Sequence, residues 1–440
     1  MLYCNHMSSE VKVRVRLKAR YLPYLVGLLA LLQLIVPHKS WIILLVGLGG
    51  AWLLGWRWAH SLADGLALTR ERRFGWAQVG DQLQERFTLT NRGWAPAHWV
   101  IVRDHSTLPG YQASTVRPVG GRALIHWFTD EVCRRRGLFT LGPTSLESGD
   151  PFGLYRVELT YPAVSTMMVL PPVLNLPAIE VAPGGRSGEG RLVATRTLEH
   201  SISAASVREY AQGDSLRRIH WRTSARRDDL FVRLFDRTPS GDWWIFLDLF
   251  GPVQAGQGQR STEEHGVILA ASLAAQGLEQ GTAVGLAASA RSEDALWLPP
   301  KMGDQQRWRI LRSLALAAPG DRPLSRLLSS AGAGLKGRNS LILITAAIEG
   351  NWLAEMMRLM RRGIVPTVLV LDRAAFDGEG QADELLNSLV SLGVTHYRIE
   401  PDFLDHPDRQ PGHVGKWDRT PQGHWEPKFD RDALDWKALV

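Results

Sequence analysis

The densest concentration of chemically able side chains lies between Asp214 and Asp229, where Arg217, Arg218, Arg222, Arg226 and Arg227 crowd around His220 and Trp221. Guanidinium groups bind carboxylates or phosphates through paired N–H donors and stack on aromatic rings. Asp214 or Ser215 can cap a short helix there, because either side-chain oxygen accepts from exposed backbone N–H groups. Two readings follow. The seven residues form a docking surface for an acidic partner or an anion, or Arg217, His220 and Trp221 knit the segment to its own domain through buried ion pairs. Serine, histidine and aspartate coexist here, yet no G-x-S-x-G elbow occurs. A hydrolase would need Ser224 or Ser215 within hydrogen-bond reach of His220.

Asp248 is the second candidate. It follows the apolar stretch 243–250 (WWIFLDLF), and open α/β sheets take their ligands just past the carboxyl ends of strands. A turn-forming or capping aspartate fits the same place. The glycines of 251–260 (GPVQAGQGQR) do not complete a dinucleotide fingerprint, since Ser261 stands at the third glycine, and no Walker lysine motif appears. Residues 183–200 (PGGRSGEGRLVATRTLEH) are Gly-rich but lack the strand–glycine–helix context of a phosphate loop, so they read as a flexible connection.

These side chains need a frame. From about 240 to 400 the pattern alternates strand and helix. Strands are expected at 243–250, 282–290, 295–300, 340–345, 364–371 and 394–399, with a hairpin around Arg291–Asp294. Helices fit 263–280, 303–317, 351–362 and 381–392, the first ending at Gly281. Runs of Val, Ile and Leu between helices imply a largely parallel sheet covered on both faces. From 66 to 180 short alternating runs such as 83–91 (LQERFTLTN), 98–104 (HWVIVRD), 123–128 (ALIHWF) and 166–171 (TMMVLP) argue for a small β-sandwich. The turn Asn91-Arg92-Gly93 suits a left-handed backbone at its glycine. The tail from 404 onward is rich in Pro, Asp and His and is expected to be poorly ordered.

Ahead of both regions stand two uncharged runs, 21–36 (YLPYLVGLLALLQLIV) and 41–56 (WIILLVGLGGAWLLGW), separated by Pro37-His38-Lys39-Ser40. Each is slightly short of the roughly 20 residues that cross a hydrocarbon core, and Tyr21, Tyr24, Trp41, Trp52, Trp56 and Trp58 suit the interfaces. A tight transmembrane hairpin follows. A cleaved signal peptide does not fit, because a second apolar run follows the first at once. Lys12, Arg14, Arg16, Lys18 and Arg20 precede the hairpin and Arg57, Arg70, Arg72 and Arg73 follow it, with Lys39 alone in the turn. The positive-inside rule therefore puts both ends in the cytoplasm of a multi-pass membrane protein. Only two cysteines occur, Cys4 and Cys133. That count excludes a disulfide framework and fits a reducing compartment. The formal charge of +7 reads as basic surface beside a membrane, without nucleic-acid binding.

Residues 134–156 (RRRGLFTLGPTSLESGDPFGLYR) and 208–236 (REYAQGDSLRRIHWRTSARRDDLFVRLFD), with the hairpin and the β/α region, closely resemble the bacterial and archaeal family called domain of unknown function 58. The resemblance covers roughly 10–400. It implies a membrane hairpin, an immunoglobulin-like β-sandwich and a Rossmann-like von Willebrand factor A-like α/β domain. It also implies the company of MoxR-type AAA ATPases and transglutaminase-like membrane proteins, but no reaction. Such A-like domains often bind Mg²⁺ through an Asp-x-Ser-x-Ser loop, whose hard oxygen ligands suit that ion. Here the loop is Asp248-Leu249-Phe250-Gly251-Pro252, and Thr345-Ala346-Ala347 lacks the later carboxylate. A degenerate site is expected, with no cofactor and Asp248 the sole credible metal ligand.

The expected layout is a basic leader (1–20), the hairpin (21–58), the sandwich (66–180), a linker (181–207), the signature segment with the α/β domain (208–400) and the tail (401–440). The expected role is a non-enzymatic membrane-anchored scaffold or adaptor in the lipid bilayer that serves a MoxR-type ATPase and other membrane proteins. The alternative is a metal-dependent adhesion or sensing module facing outside.

Overall fold

The computed structural model describes residues 11–72, 74–176, 179–182, 204–209, 224–226, 229–235, 241–289, 295–331, 334–335, 339–404, 416–419, 425–428 and 437–438. The chain divides into two compact units, Met1–Pro172 with His413–Val440, and Val173–Gly412.

The first unit opens with β1 (Lys12–Leu17), where a basic leader was expected. The alternation KVRVRL is the reason. It turns Val15 and Leu17 toward the core while Lys12, Arg14 and Arg16 stay exposed. Helices α1 (Leu22–Ile35) and α2 (Lys39–Gly65) follow and pack on each other. The His38 ring caps α2 by accepting from Ser40 N at 3.3 Å. Then come β2 (Leu66–Arg72), β3 (Trp76–Gln78), β4 (Gln82–Asn91), β5 (Ala97–Asp104), β6 (Thr115–Val119), β7 (Ala123–Val132), β8 (Gly137–Leu141), β9 (Thr144–Gly149), β10 (Tyr155–Tyr161) and β11 (Ser165–Leu170). They form sheets in the orders β1-β10-β9-β5-β6 and β3-β11-β8, and a third in which β2, β4 and β7 adjoin residues 437–438. The longest ladder runs antiparallel from Gln82↔Val132 to Asn91↔Ala123. Short alternating strands thus appear where the sequence placed them.

Helix α2 differs from expectation in length. It runs past the apolar stretch to Gly65 because Arg57–Asp64 contains no breaker and its Ala59, Leu62 and Ala63 continue the buried face begun at Gly55. That face is buried in the same core as Phe87, Leu89, Val100, Val102, Leu146 and Val157. The amino-terminal half is the reverse, with Ile43 71%, Val46 68% and Leu53 61% exposed. One helix therefore carries a solvent-averse surface at one end and a core stripe at the other. Among the described residues α2 alone is long and apolar enough to cross a membrane. Two spans were expected, but α1 has 14 residues, about 21 Å at 1.5 Å per residue.

Gly93 is needed for a reason other than a left-handed backbone. A Cβ there would meet Ser61 O at 2.4 Å and Ser61 Oγ at 2.6 Å, so the glycine admits α2 against the 91–95 turn. The tail is not wholly irregular either: residues 416–419 pair with 425–428, and Ala438 pairs with Glu71 beside β2.

The second unit contains the pair β12 (Ala204–Glu209) and β13 (Phe231–Phe235), then a six-stranded sheet. Its members are β14 (Trp243–Leu247), β17 (Val284–Ala288), β18 (Leu296–Lys301), β19 (Ser340–Thr345), β20 (Val365–Leu371) and β21 (Thr395–Ile399). A small clip, β15 (Gly256–Gln257) with β16 (Arg260–Ser261), sits between β14 and the next helix. The order is β18-β17-β14-β19-β20-β21, all parallel except β18. Strands β14, β17 and β19 are buried along their whole length, as a sheet covered on both faces requires.

The covering helices are α3 (Thr262–Glu279), α4 (Asp304–Leu316), α5 (Leu324–Ala331), α6 (Leu353–Arg361) and α7 (Asp383–Ser391). Ser261 caps α3 by accepting from Glu264 N at 3.2 Å, and Gly281 follows it at φ +75. The sequence reading missed α5, whose Leu324, Leu327, Leu328 and Ala331 form a buried stripe squeezed between Pro323 and Gly334.

Candidate functional site

Of the basic cluster, Arg226 lies in the helical turn 224–226, exposed, beside buried Ser224. Arg217, Arg218, His220, Trp221, Arg222 and Arg227 lie outside the described residues, as do Ser215 and the linker 183–200.

Asp248 lies just past β14, beside β19, where the strand order reverses. In doubly wound sheets this switch point opens a ligand crevice. Here protein donors occupy the Asp248 carboxylate. Asp248 Oδ2 accepts from Thr345 Oγ1 at 2.7 Å, and Oδ1 accepts from Phe250 N at 3.1 Å. Thr345 Oγ1 also accepts from Ala347 N at 2.9 Å, and Ser289 Oγ accepts from Leu249 N at 3.1 Å. Gly251 N donates to Gly320 O, and Gly320 N donates to Leu249 O. Burial pushes the Asp248 carboxyl up to about 6, against the pull of its two donors and with a push from Glu349.

This donor set does not fit a divalent cation. Both carboxylate oxygens face hydrogen-bond donors, and Phe250 and Pro252 stand where hydroxyl ligands are needed. Among the described residues no group of three His, Cys, Asp or Glu side chains could hold a metal. Asp248 is instead an Asx-type turn former, tying two strand ends together.

The first unit holds a polar cluster that the sequence reading missed. Arg70 on β2 donates to Glu85 on β4 through Nη2 at 2.6 Å and Nε at 3.1 Å. Its Nη1 reaches Asp104 on β5 at 2.9 Å. Tyr111 hydroxyl donates to Glu85, and Ser106 hydroxyl donates to Asp104. Thr144 Oγ1 donates to Asp104 at 3.0 Å. Glu85 is fully buried and the Arg70 side chain 8% exposed. Desolvation disfavours the guanidinium charge, but Glu85 outweighs it and holds Arg70 firmly protonated. The signal was available: Glu85 interrupts the inward stripe Leu83, Phe87, Leu89. The cluster joins β2 and β4 of one sheet to β5 of another.

Beside it is a cavity of about 30 Å³ lined by Leu68, Arg70, Leu141, Thr144, Tyr161, Ala163 and Ser165. That is room on the order of one or two waters, against several hundred Å³ for a typical ligand pocket. The cluster reads as a fastening between sheets.

Comparison with known proteins supplies relatives but names no activity. The chain is similar to the uncharacterized protein YeaD of Bacillus subtilis (strain 168), 27% identical over 250 residues, covering 54% of this chain and 59% of that protein. The match thus spans less than two thirds of the relative's length. Among solved structures, the CARDB domain of a Pyrococcus furiosus protein in complex with di-metal ions matches with a TM-score of 0.18 and 10% identity, covering 24% of this chain and 90% of that one. The Pseudomonas fluorescens alkylpurine DNA glycosylase AlkC matches with a TM-score of 0.16 and 13% identity, covering 33% and 43%. Such scores carry no argument. A family model described as protein of unknown function DUF58 matches residues 206–377, a span that includes the 208–236 segment on which the resemblance rests.

Proposed function

We propose that this protein is a membrane-anchored, non-enzymatic scaffold whose sheet-rich units work on one side of the bilayer and serve a MoxR-type AAA ATPase. One observation carries the anchoring. Strand β1 before the hairpin and strand β2 after it belong to the same unit. If the apolar hairpin enters a bilayer, its two ends must leave on the same face. A single crossing would tear β1 from β10, so α1 and α2 cross together as a two-pass hairpin, α1 fitting by tilt and local thinning.

The side is set by charge. Lys12, Arg14, Arg16, Lys18 and Arg20 are exposed ahead of α1 and favour the cytoplasm. Arg70 contributes nothing to that bias, because it is buried against Glu85. In the second unit the strand order, with β18 antiparallel at the edge, is compatible with a von Willebrand factor A-like domain. The sheets of the first unit suit an immunoglobulin-like sandwich.

An affinity pull-down from native membranes tests the role. Stoichiometric recovery of an AAA ATPase supports it. Recovery of the chain alone, under conditions that preserve other membrane complexes, counts against it.

A further inference from the structure

The turn 150–154 (DPFGL) belongs to a segment whose role the scaffold reading leaves open. The fold brings this turn to the root of the hairpin. Lys18 N donates to Leu154 O at 2.7 Å. A Cβ on Gly55 of α2 would lie 3.4 Å from Asp150 Oδ2 and 3.5 Å from Leu154 Cδ1. Asp150 is buried and shapes the turn, Oδ2 accepting from Phe152 N at 2.9 Å and Oδ1 from Tyr155 N at 2.5 Å. The result is that Phe152, 54% exposed, projects from a fixed turn.

Around this root the side chains change character over a short distance. Below it are the core residues Ala59 and Leu62. Above it begins the exposed apolar surface, Leu53 and Leu54 on α2 and Leu25 and Leu28 on α1. Between the two lie exposed Tyr21 and Trp56, with exposed Lys18, Arg20 and Arg57. None of these three cations has an ion pair among the described residues. Carboxylates on the adjoining elements are engaged elsewhere: Asp150 accepts from two backbone donors, Glu147 and Glu158 face Arg156, and Asp64 lies two helical turns beyond Arg57.

We infer that the DPFGL turn, Lys18, Arg20 and Arg57 form a headgroup collar that seats Phe152 in the interfacial layer and binds anionic phospholipid. The reasoning is charge complementarity at a fixed depth. The amphipathic rings of Tyr21 and Trp56 set the headgroup level, apolar Phe152 projects beside them, and unpaired cations held at that same level attract lipid phosphates bearing net negative charge. The turn makes the collar rigid, so the unit is held at a set distance from the bilayer instead of swinging on a hinge.

This inference rests on the anchoring reading, and the test separates the two. The full chain is reconstituted into vesicles of phosphatidylcholine, with and without phosphatidylglycerol. Flotation with pure phosphatidylcholine vesicles reads the anchoring. Quenching of the protein's tryptophans by brominated phosphatidylglycerol, against brominated phosphatidylcholine, reads the collar. The collar should enrich phosphatidylglycerol about fivefold for each cation in the headgroup layer, and salt should weaken that preference. The triple substitution Lys18→Gln, Arg20→Gln, Arg57→Gln should float equally well yet lose the preference. A dye on Phe152→Cys, in a Cys4→Ser background, should shift to the blue on reconstitution. Flotation without any phosphatidylglycerol preference, or a preference surviving in the triple variant, overturns the collar while leaving the anchor. Failure to float at all overturns the anchor.

Discussion

Removing Glu85 should cost the first unit far more than removing a surface carboxylate. The Glu85 side chain is fully buried and meets Arg70 through three N–H···O contacts between 2.6 and 3.1 Å. Truncation to alanine leaves a guanidinium that is 8% exposed with Asp104, Ser106 and Tyr111 as remaining partners. Breaking a buried pair in this way costs about 3–5 kcal/mol, and the retained Asp104 contact places Glu85→Ala near the lower end. Arg70→Met should cost at least as much, since it strands Glu85 and weakens the hold on Asp104. Asp104 keeps Thr144 and Ser106 as donors, and Glu85 keeps the Tyr111 hydroxyl and the more distant charge of Arg72.

Removing both charges at once should be milder than the sum of the singles, because neither is left alone in the interior. A double-mutant cycle by urea denaturation in detergent, followed through tryptophan fluorescence, measures this. Trp127 stacks on Phe87 with ring centroids 5.5 Å apart, so the core has a reporter beside the cluster. The reasoning fails if Glu85→Ala costs under about 1 kcal/mol, as an exposed pair would, or if the two single losses simply add.

Three further outcomes follow from the geometry. Gly93→Val should loosen the docking of α2, since its Cβ would meet Ser61 O at 2.4 Å; overpacking of this kind costs about 1–3 kcal/mol, read as a lowered Tm, and an unchanged Tm would remove the close-approach argument. Folded Asp248 keeps its proton up to about pH 6, whereas the unfolded carboxyl releases it near 3.8. The native state then binds the extra proton, so stability is full below 3.8 and declines as pH rises through 6, by up to about 3 kcal/mol. Asp248→Asn should flatten that decline between pH 4.5 and 7 in urea melts, and an unchanged slope would contradict the assignment. Thr345→Val removes the hydroxyl donor to Asp248 and should destabilise the second unit by about 1–3 kcal/mol, detectable in the same melts.

Periodicity made much of the scaffold legible. Continuous apolar runs such as SLILIT became buried parallel strands, and alternation in LQERFTLTN became β4. What sequence alone obscured depends on tertiary partners. Residues 12–17 look like a charged leader until β10 supplies an edge to pair with. The continuation of α2 to Gly65 is invisible in hydropathy, because apart from Leu62 its buried stripe is made of small residues among Arg57, His60 and Asp64. Glu85 and Arg70 are 15 residues apart, and only the pairing of β2 with β4 brings them face to face. For Asp248 the position was legible and the chemistry was not: whether a carboxylate faces a ligand or a threonine depends on a strand nearly a hundred residues later. Helix α5 was hidden by its brevity between proline and glycine.

The central claim is that both units stand on one side of a membrane crossed by the hairpin. Cysteines introduced singly at Lys12, Lys39 and Ser329, in a Cys4→Ser background, test it with a membrane-impermeant maleimide. All three positions are exposed. The account predicts that positions 12 and 329 react only in inverted vesicles, and position 39 only in intact cells. Labelling of 12 and 329 from opposite faces, or of either from outside intact cells, would contradict it.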